Sequence, residues 1–135
     1  MAVFAFTDAY VLVGAVDLSD WVKSVQIEVS VDELETTAMG ATNKTRIAGL
    51  KDWTVSIEFN ADYAAAAVDA TLWPLFGTVP AVEVRPTSAS RSATNPGYNG
   101  NVLISKLPPV GGGVGDLAKV SVQWPAAGAL ARSTS

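Results

Sequence analysis

Two glutamates stand where a pair of carboxylates could work together. Glu28 in "VQIEVSV" and Glu58 in "VSIEFN" lie on the polar faces of two alternating stretches expected to pair, a placement that in principle suits acid and base roles at a glycosidic bond. No cleft aromatics stand beside them, so the plainer reading is two carboxylates facing water or a lumen. Glu28, Asp32, Glu33 and Glu35 also form an acidic cluster that offers oxygen ligands for calcium. Its spacing matches no calcium loop, and a solvated charge patch is expected. "GGGVGD" at Gly111 to Asp116 lacks the Lys-Ser/Thr pair and following helix of a phosphate-binding loop and is expected to be a flexible turn. Asn43 in "NKT" is formally a glycosylation acceptor, read as chance without a secretory signal.

The residue types that are missing decide more. The 135 residues include no His and no Cys. That removes the commonest general base, the commonest transition-metal ligand, any thiolate site and any disulfide framework. No hydroxyl nucleophile has a base beside it. No catalytic residue, metal site or cofactor is therefore expected, and the chain reads as something other than an enzyme.

Composition points toward assembly. Hydrophobic residues make up 49% and charged residues only 16%, enough for a real core in one domain spanning residues 1–135 and suggestive of a surface that meets other protein. A net charge of −4 with nine scattered Lys and Arg argues against affinity for nucleic acid. "MAVFAFTDAYVLVGAV" has no basic leading region, carries Asp8, and has apolar runs too short to span a bilayer, so a protein made and used in the cytoplasm, away from membranes, is expected. Phe4 and Phe6 alternate with small residues, which suits an extended N-terminal arm over residues 1–9.

Periodicity divides the rest. "YVLVGAV" reads as a buried strand with a Gly interruption. "WVKSVQIEVSV" puts Trp21, Val25, Ile27, Val29 and Val31 on one face, with Lys23 as the misfit, and "WTVSIEFN" repeats the pattern with Trp53, Val55, Ile57 and Phe59. Between these two strands, Glu35 to Asp52 shows no apolar period and reads as a long loop that is either disordered or held by something outside the domain. "NADYAAAAVDATLWPLFG" predicts a helix from about Asp62 to Trp73 with Tyr63, Ala67, Ala70 and Trp73 along one side. "AVEVRP" is a strand, "TSASRSATNPGYNG" a polar turn-rich segment, "GNVLISKL" a strand, and "LAKVSVQW" a strand with Ala118, Val120, Val122 and Trp124 facing the core. Residues 125–135 are expected to be poorly ordered unless a partner catches them. Six or seven strands and one helix packed on a sheet result, and the four Trp read as core.

The order of "VDLSDWVKSVQIEVSVDELETTAMGATNKTRIAGLKDWTVSIEF", an Ala-rich helix, "VEVRP" and "NPGYNGNVLISKLPPVGGGVGDLAKVSVQW" resembles the tail tube proteins of long-tailed bacteriophages, from about Tyr10 to Trp124. The resemblance implies a mainly β fold: a β-sandwich of antiparallel, barrel-forming sheets with one flanking α-helix and a long inter-strand loop. It further implies a virion protein, assembled in the host cytoplasm, whose hexameric rings stack into a tube that conducts DNA and meets other tail proteins at its ends. Carried onto this chain, the loop at residues 35–52 would reach neighbouring subunits through the polar residues Thr36, Thr37, Asn43 and Thr45 and the apolar residues Met39, Ile47 and Leu50. Gln26, Glu28, Ser30, Ser56, Glu58, Lys119, Ser121 and Gln123 would line the lumen, an acidic and polar wall along which a polyanion slides. A head-tail connector, a tail terminator or the inner tube of a contractile injection system is the neighbouring reading. A monomeric carbohydrate-binding module, with exposed coplanar aromatics, is the reading from another class.

Overall fold

The structure, a computed structural model, describes residues 8–65, 67–111 and 113–134. Most of the N-terminal arm expected at residues 1–9 therefore lies outside the described residues. The elements are β1 (Tyr10–Val13), β2 (Val16–Asp17), a 3-10 turn (Ser19–Trp21), β3 (Val22–Glu35), β4 (Arg46–Asn60), α1 (Val68–Leu75), β5 (Ala81–Arg85), β6 (Gly97–Asn101), β7 (Lys119–Pro125) and β8 (Ala131–Ser133). They form two antiparallel sheets, one ordered β2-β1-β5-β6-β8 and the other β3-β4-β7. The mainly β sandwich with one helix is the expected architecture.

Alternation builds the core. Trp53, Val55, Ile57 and Phe59 of β4 and Val120, Val122 and Trp124 of β7 turn their apolar face inward and join Val11, Val13, Val82 and Val84 of the other sheet in one buried cluster. Helix α1 adds Val68 and Leu72, four residues apart on one face. Burying a side chain of this size favours folding by about 1.5–3 kcal/mol. The sheets are also stitched together by backbone: Val102 and Ile104 donate to the Pro80 and Thr78 carbonyls (both 3.1 Å), while Leu103 between them donates to Pro125 (3.0 Å).

Several expectations change, each for a local reason. "YVLVGAV" is a hairpin, because Gly14 and Ala15 both take positive φ (57° and 69°) and turn the chain between Val13 and Val16. The helix starts at Val68 and not near Asp62. Asp62 is engaged elsewhere, accepting from Trp21 Nε1 (2.8 Å) and from the Ala64 amide (2.9 Å), a local turn that competes with a helical start. Trp73, one residue past buried Leu72 on α1, is exposed, as is Tyr63, so three of the four Trp are wholly or partly buried. The strand expected at "GNVLISKL" starts earlier and stops sooner, at Gly97–Asn101, so all but its last residue falls in the segment read as turns. Glycine serves close approach there: a Cβ on Gly100 would meet Trp53 Cζ2 at 2.6 Å and the Ala129 carbonyl at 2.8 Å. The C-terminal tail folds back without a partner. β8 pairs with β6, and Gly128 O accepts from Trp53 Nε1 (2.8 Å).

Candidate functional site

The face of the β3-β4-β7 sheet away from the core gathers all eight residues expected to line a lumen. Cross-strand register puts Gln26, Ser56 and Gln123 in one row, Ser24, Glu58 and Ser121 in the next, and Asn60 with Lys119 beyond. Glu28 opposite Thr54 and Ser30 opposite Asp52 continue the same face toward the far end of β3. An open groove of about 890 Å³ runs over it, bordered by Ser24, Gln26, Ser56, Glu58, Ser121 and Gln123 and, from the segment after β6, by Lys106.

The same register separates the two glutamates. Glu28 lies opposite Thr54 and Glu58 opposite Ser24, four residues apart along each strand, or about 13 Å at ordinary strand rise. That exceeds the roughly 5–9.5 Å over which two carboxyls cooperate at a glycosidic bond, so the carboxylate couple does not form. Glu58 instead sits between Lys119 (3.7 Å) and Lys23 (4.0 Å). Lys23 arrives there through a β-bulge. Val22 pairs with Phe59 on the core face, Ser24 pairs with Glu58 on the polar face, and Lys23 is the extra residue between them. The misfit in the alternation is thus resolved by one inserted residue. Among the described residues no acidic cluster is arranged to hold a metal ion, and no helix is long and apolar enough to cross a membrane.

Beyond Trp53 the sheet changes character. β7 ends at Pro125, opposite Thr54, so Ser30–Glu35 and Arg46–Asp52 continue as a two-stranded hairpin with no third strand beside them among the described residues. The segment expected to be a loop from Glu35 to Asp52 is therefore strand from Arg46 onward, and only residues 36–45 connect the strands. The pattern was hidden because a second bulge, between Val31 and Glu33, breaks the alternation, and Gly49 stands where a Cβ would meet Asp32 Cβ at 3.0 Å and its carbonyl at 3.3 Å. Three of the four polar residues assigned to a partner bond one another: Thr36 N donates to Thr45 O (2.8 Å), their hydroxyls meet at 2.7 Å, and Thr45 N donates to Thr37 Oγ1 (2.9 Å). Asn43 is exposed. The apolar residues point into solvent, with Met39 103%, Leu50 81% and Ile47 57% exposed, and Val29, Val31 and Leu34 join them. Isolated two-stranded hairpins are marginal in water, and this one carries a run of uncovered apolar side chains.

One polar cluster escaped the sequence reading. Glu83, in the middle of "AVEVR", is buried on the face of β5 opposite Val82 and Val84, where it accepts from Arg85 and Arg91. Burial pushes its carboxyl up, but the hydrogen bonds and charges of Arg91 and Arg85 together outweigh it and hold the group below its ordinary value. Arg85 also stacks 4.3 Å over the Tyr10 ring. Buried Asn95 ties down the covering loop, its amide donating to Ala89 O (2.8 Å) and its Oδ1 accepting from Thr87 N (3.0 Å). A charge between two valines with Arg two positions on was the only available signal.

No protein-family model matches the sequence, and no curated protein matches it. Solved structures do. In the gene transfer agent particle, one virion chain is similar over 97% of this chain and 99% of its own length (15% identity, TM-score 0.76), and one from the tail of the empty particle, with C6 symmetry, over 82% and 81% (16%, 0.63). The tail tube of SPP1 is similar over 95% of this chain and 77% of that one, at 10% identity and TM-score 0.73. The chain has the fold of the phage tail tube proteins. The sheath/tube terminator of an extracellular contractile injection system, PVC, shares the tail tube fold over 98% of both chains (13%, 0.73). The tail tube fold thus recurs in a virion, a tail and a terminator.

Proposed function

We propose that this protein is a structural virion component that forms hexameric rings, stacked into the tube of a phage-like tail through which DNA passes. The observation that carries the reading is the pairing, on a tail tube fold, of a polar sheet face with a projecting hairpin whose apolar side chains have no cover among the described residues. Thr36, Thr37 and Thr45 shape the hairpin, and Met39, Ile47 and Leu50 dock it on a neighbouring subunit, with Asn43 at its tip. Gln26, Glu28, Ser30, Ser56, Glu58, Lys119, Ser121 and Gln123 face the lumen. The similar gene transfer agent tail has C6 symmetry, which supports a six-subunit ring here. Ring closure also covers the open edge of β3. The protein acts in the virion, after assembly in the host cytoplasm, and meets other tail proteins at the tube ends.

A second reading, a terminator that makes one ring at the end of a tube, is favoured by the similarity to the injection-system terminator. Size-exclusion chromatography with negative-stain microscopy separates the two. Tubes of open-ended length support the tube reading and single rings the terminator, whereas a monomer at high concentration contradicts both. The carbohydrate-binding alternative has little to stand on: exposed Trp73 and Phe76 are tilted by 39° and do not form a flat platform.

A further inference from the structure

We propose that Glu58 is the residue that keeps this face from holding DNA, by neutralising lysines that would otherwise bind phosphate. The inference rests on the lumen reading above and deepens it. Three lysines border the polar face: Lys23 and Lys119 flank Glu58 at 4.0 and 3.7 Å, and Lys106 lines the same groove. Lysines that close on one wall would, by themselves, make a phosphate-binding patch. Glu58 is the acid set among them, three-quarters buried between its neighbours, and one of its oxygens, Oε1, serves both ion pairs. The chain departs from regular pairing at Val22–Ser24, and that bulge is what brings Lys23 to the acid. Ion pairs this long, to lysines more than half exposed, add little stability, so their consequence lies in the local field. Neighbouring strands are about 4.8 Å apart, well inside the roughly 10 Å screening length at 0.1 M salt, so a passing phosphate senses the cluster as one charge distribution. Glu28, one side-chain row past Gln26, has no lysine beside it among the described ion pairs. It repels phosphate without neutralising anything.

The test compares Glu58→Gln with Glu28→Gln, which change net charge equally, by fluorescence anisotropy of a short labelled DNA duplex titrated with full-length protein in low and moderate salt. Circular dichroism checks that each variant is folded. Glu58→Gln is expected to bind at least about tenfold more tightly than the parent in low salt, with a log–log salt dependence steeper by about one to two, because freed lysines release counterions. Glu28→Gln should gain less than about threefold, and Glu58→Gln with Lys119→Gln should return toward the parent. Equal gains from the two single variants, or none from Glu58→Gln, overturn the inference. The lumen reading is checked separately. The chain has no cysteine, so Ser121→Cys provides a unique thiol. In assembled particles it should react with a small maleimide and not with one on a polymer too bulky for the bore. Reaction with both overturns the lumen reading and the inference with it, whereas a failed DNA comparison with a protected thiol overturns the inference alone.

Discussion

Ala15 occupies the left-handed region at φ 69°, beside Gly14 at 57°, in a two-residue turn that glycine suits at both positions. An alanine there costs about 1–2 kcal/mol relative to an unstrained conformation, partly offset because glycine is freer in the unfolded chain. Ala15→Gly is expected to stabilise the protein by about 0.5–1 kcal/mol, read as a higher urea midpoint at unchanged slope. Glu83 leads to a pH prediction. Its carboxyl is held below the ordinary value in the folded state, so its contribution is fully present above the ordinary carboxylate range and disappears as pH falls through the depressed folded value. Acid titration followed by tryptophan fluorescence should show a drop in stability below about pH 4.5 that is weakened in Glu83→Gln. That variant should also be less stable at pH 7, by roughly 1–3 kcal/mol, since two arginines lose their buried partner.

Among the elements, the C-terminal segment and the β3-β4 hairpin make opposite predictions. The segment after β7 closes the edge of β6 and supplies the acceptor for the buried Trp53 indole. Ending the chain after Ala127 should therefore cost roughly 1–3 kcal/mol by thermal or urea denaturation, the cost of leaving that donor unmatched and the edge bare. The hairpin tip touches none of the core. Deleting residues 39–47 should leave a folded monomer with native circular dichroism, because the buried side chains of β4 begin at Trp53, and should abolish tubes in electron micrographs. Normal filaments from that deletion would contradict the docking role.

For the whole molecule, the distribution of apolar surface separates folding from assembly. Leu50 is uncovered in the single chain, so Leu50→Asp should change stability by less than about 0.5 kcal/mol yet shift sedimentation from assembled species to monomer. If the substitution unfolds the chain, or leaves assembly intact, the hairpin is not the docking element. The polar face adds the second requirement, a wall that does not retain DNA, and its balance of acid and lysine is set across three strands at once.

The sequence by itself determined the one-faced strands around Ile27, Ile57 and Val122, the absence of His and Cys, and the side of the sheet on which Gln26, Ser56 and Gln123 stand, because alternation in an extended chain assigns faces without knowing the partners. It left Arg46–Asp52 unread, since a bulge breaks the alternation wherever one strand carries an extra residue. Strand β6 was hidden for a related reason: Gly100 answers to the Trp53 ring and the Ala129 carbonyl beside it and Gly97 to the Arg91 and Glu83 side chains, while local propensity points to turns. Only the tertiary structure placed Lys23 beside Glu58, buried Glu83 between two arginines and left Met39 and Leu50 bare. Those are relations between distant positions, and they exist only once cross-strand register has been set.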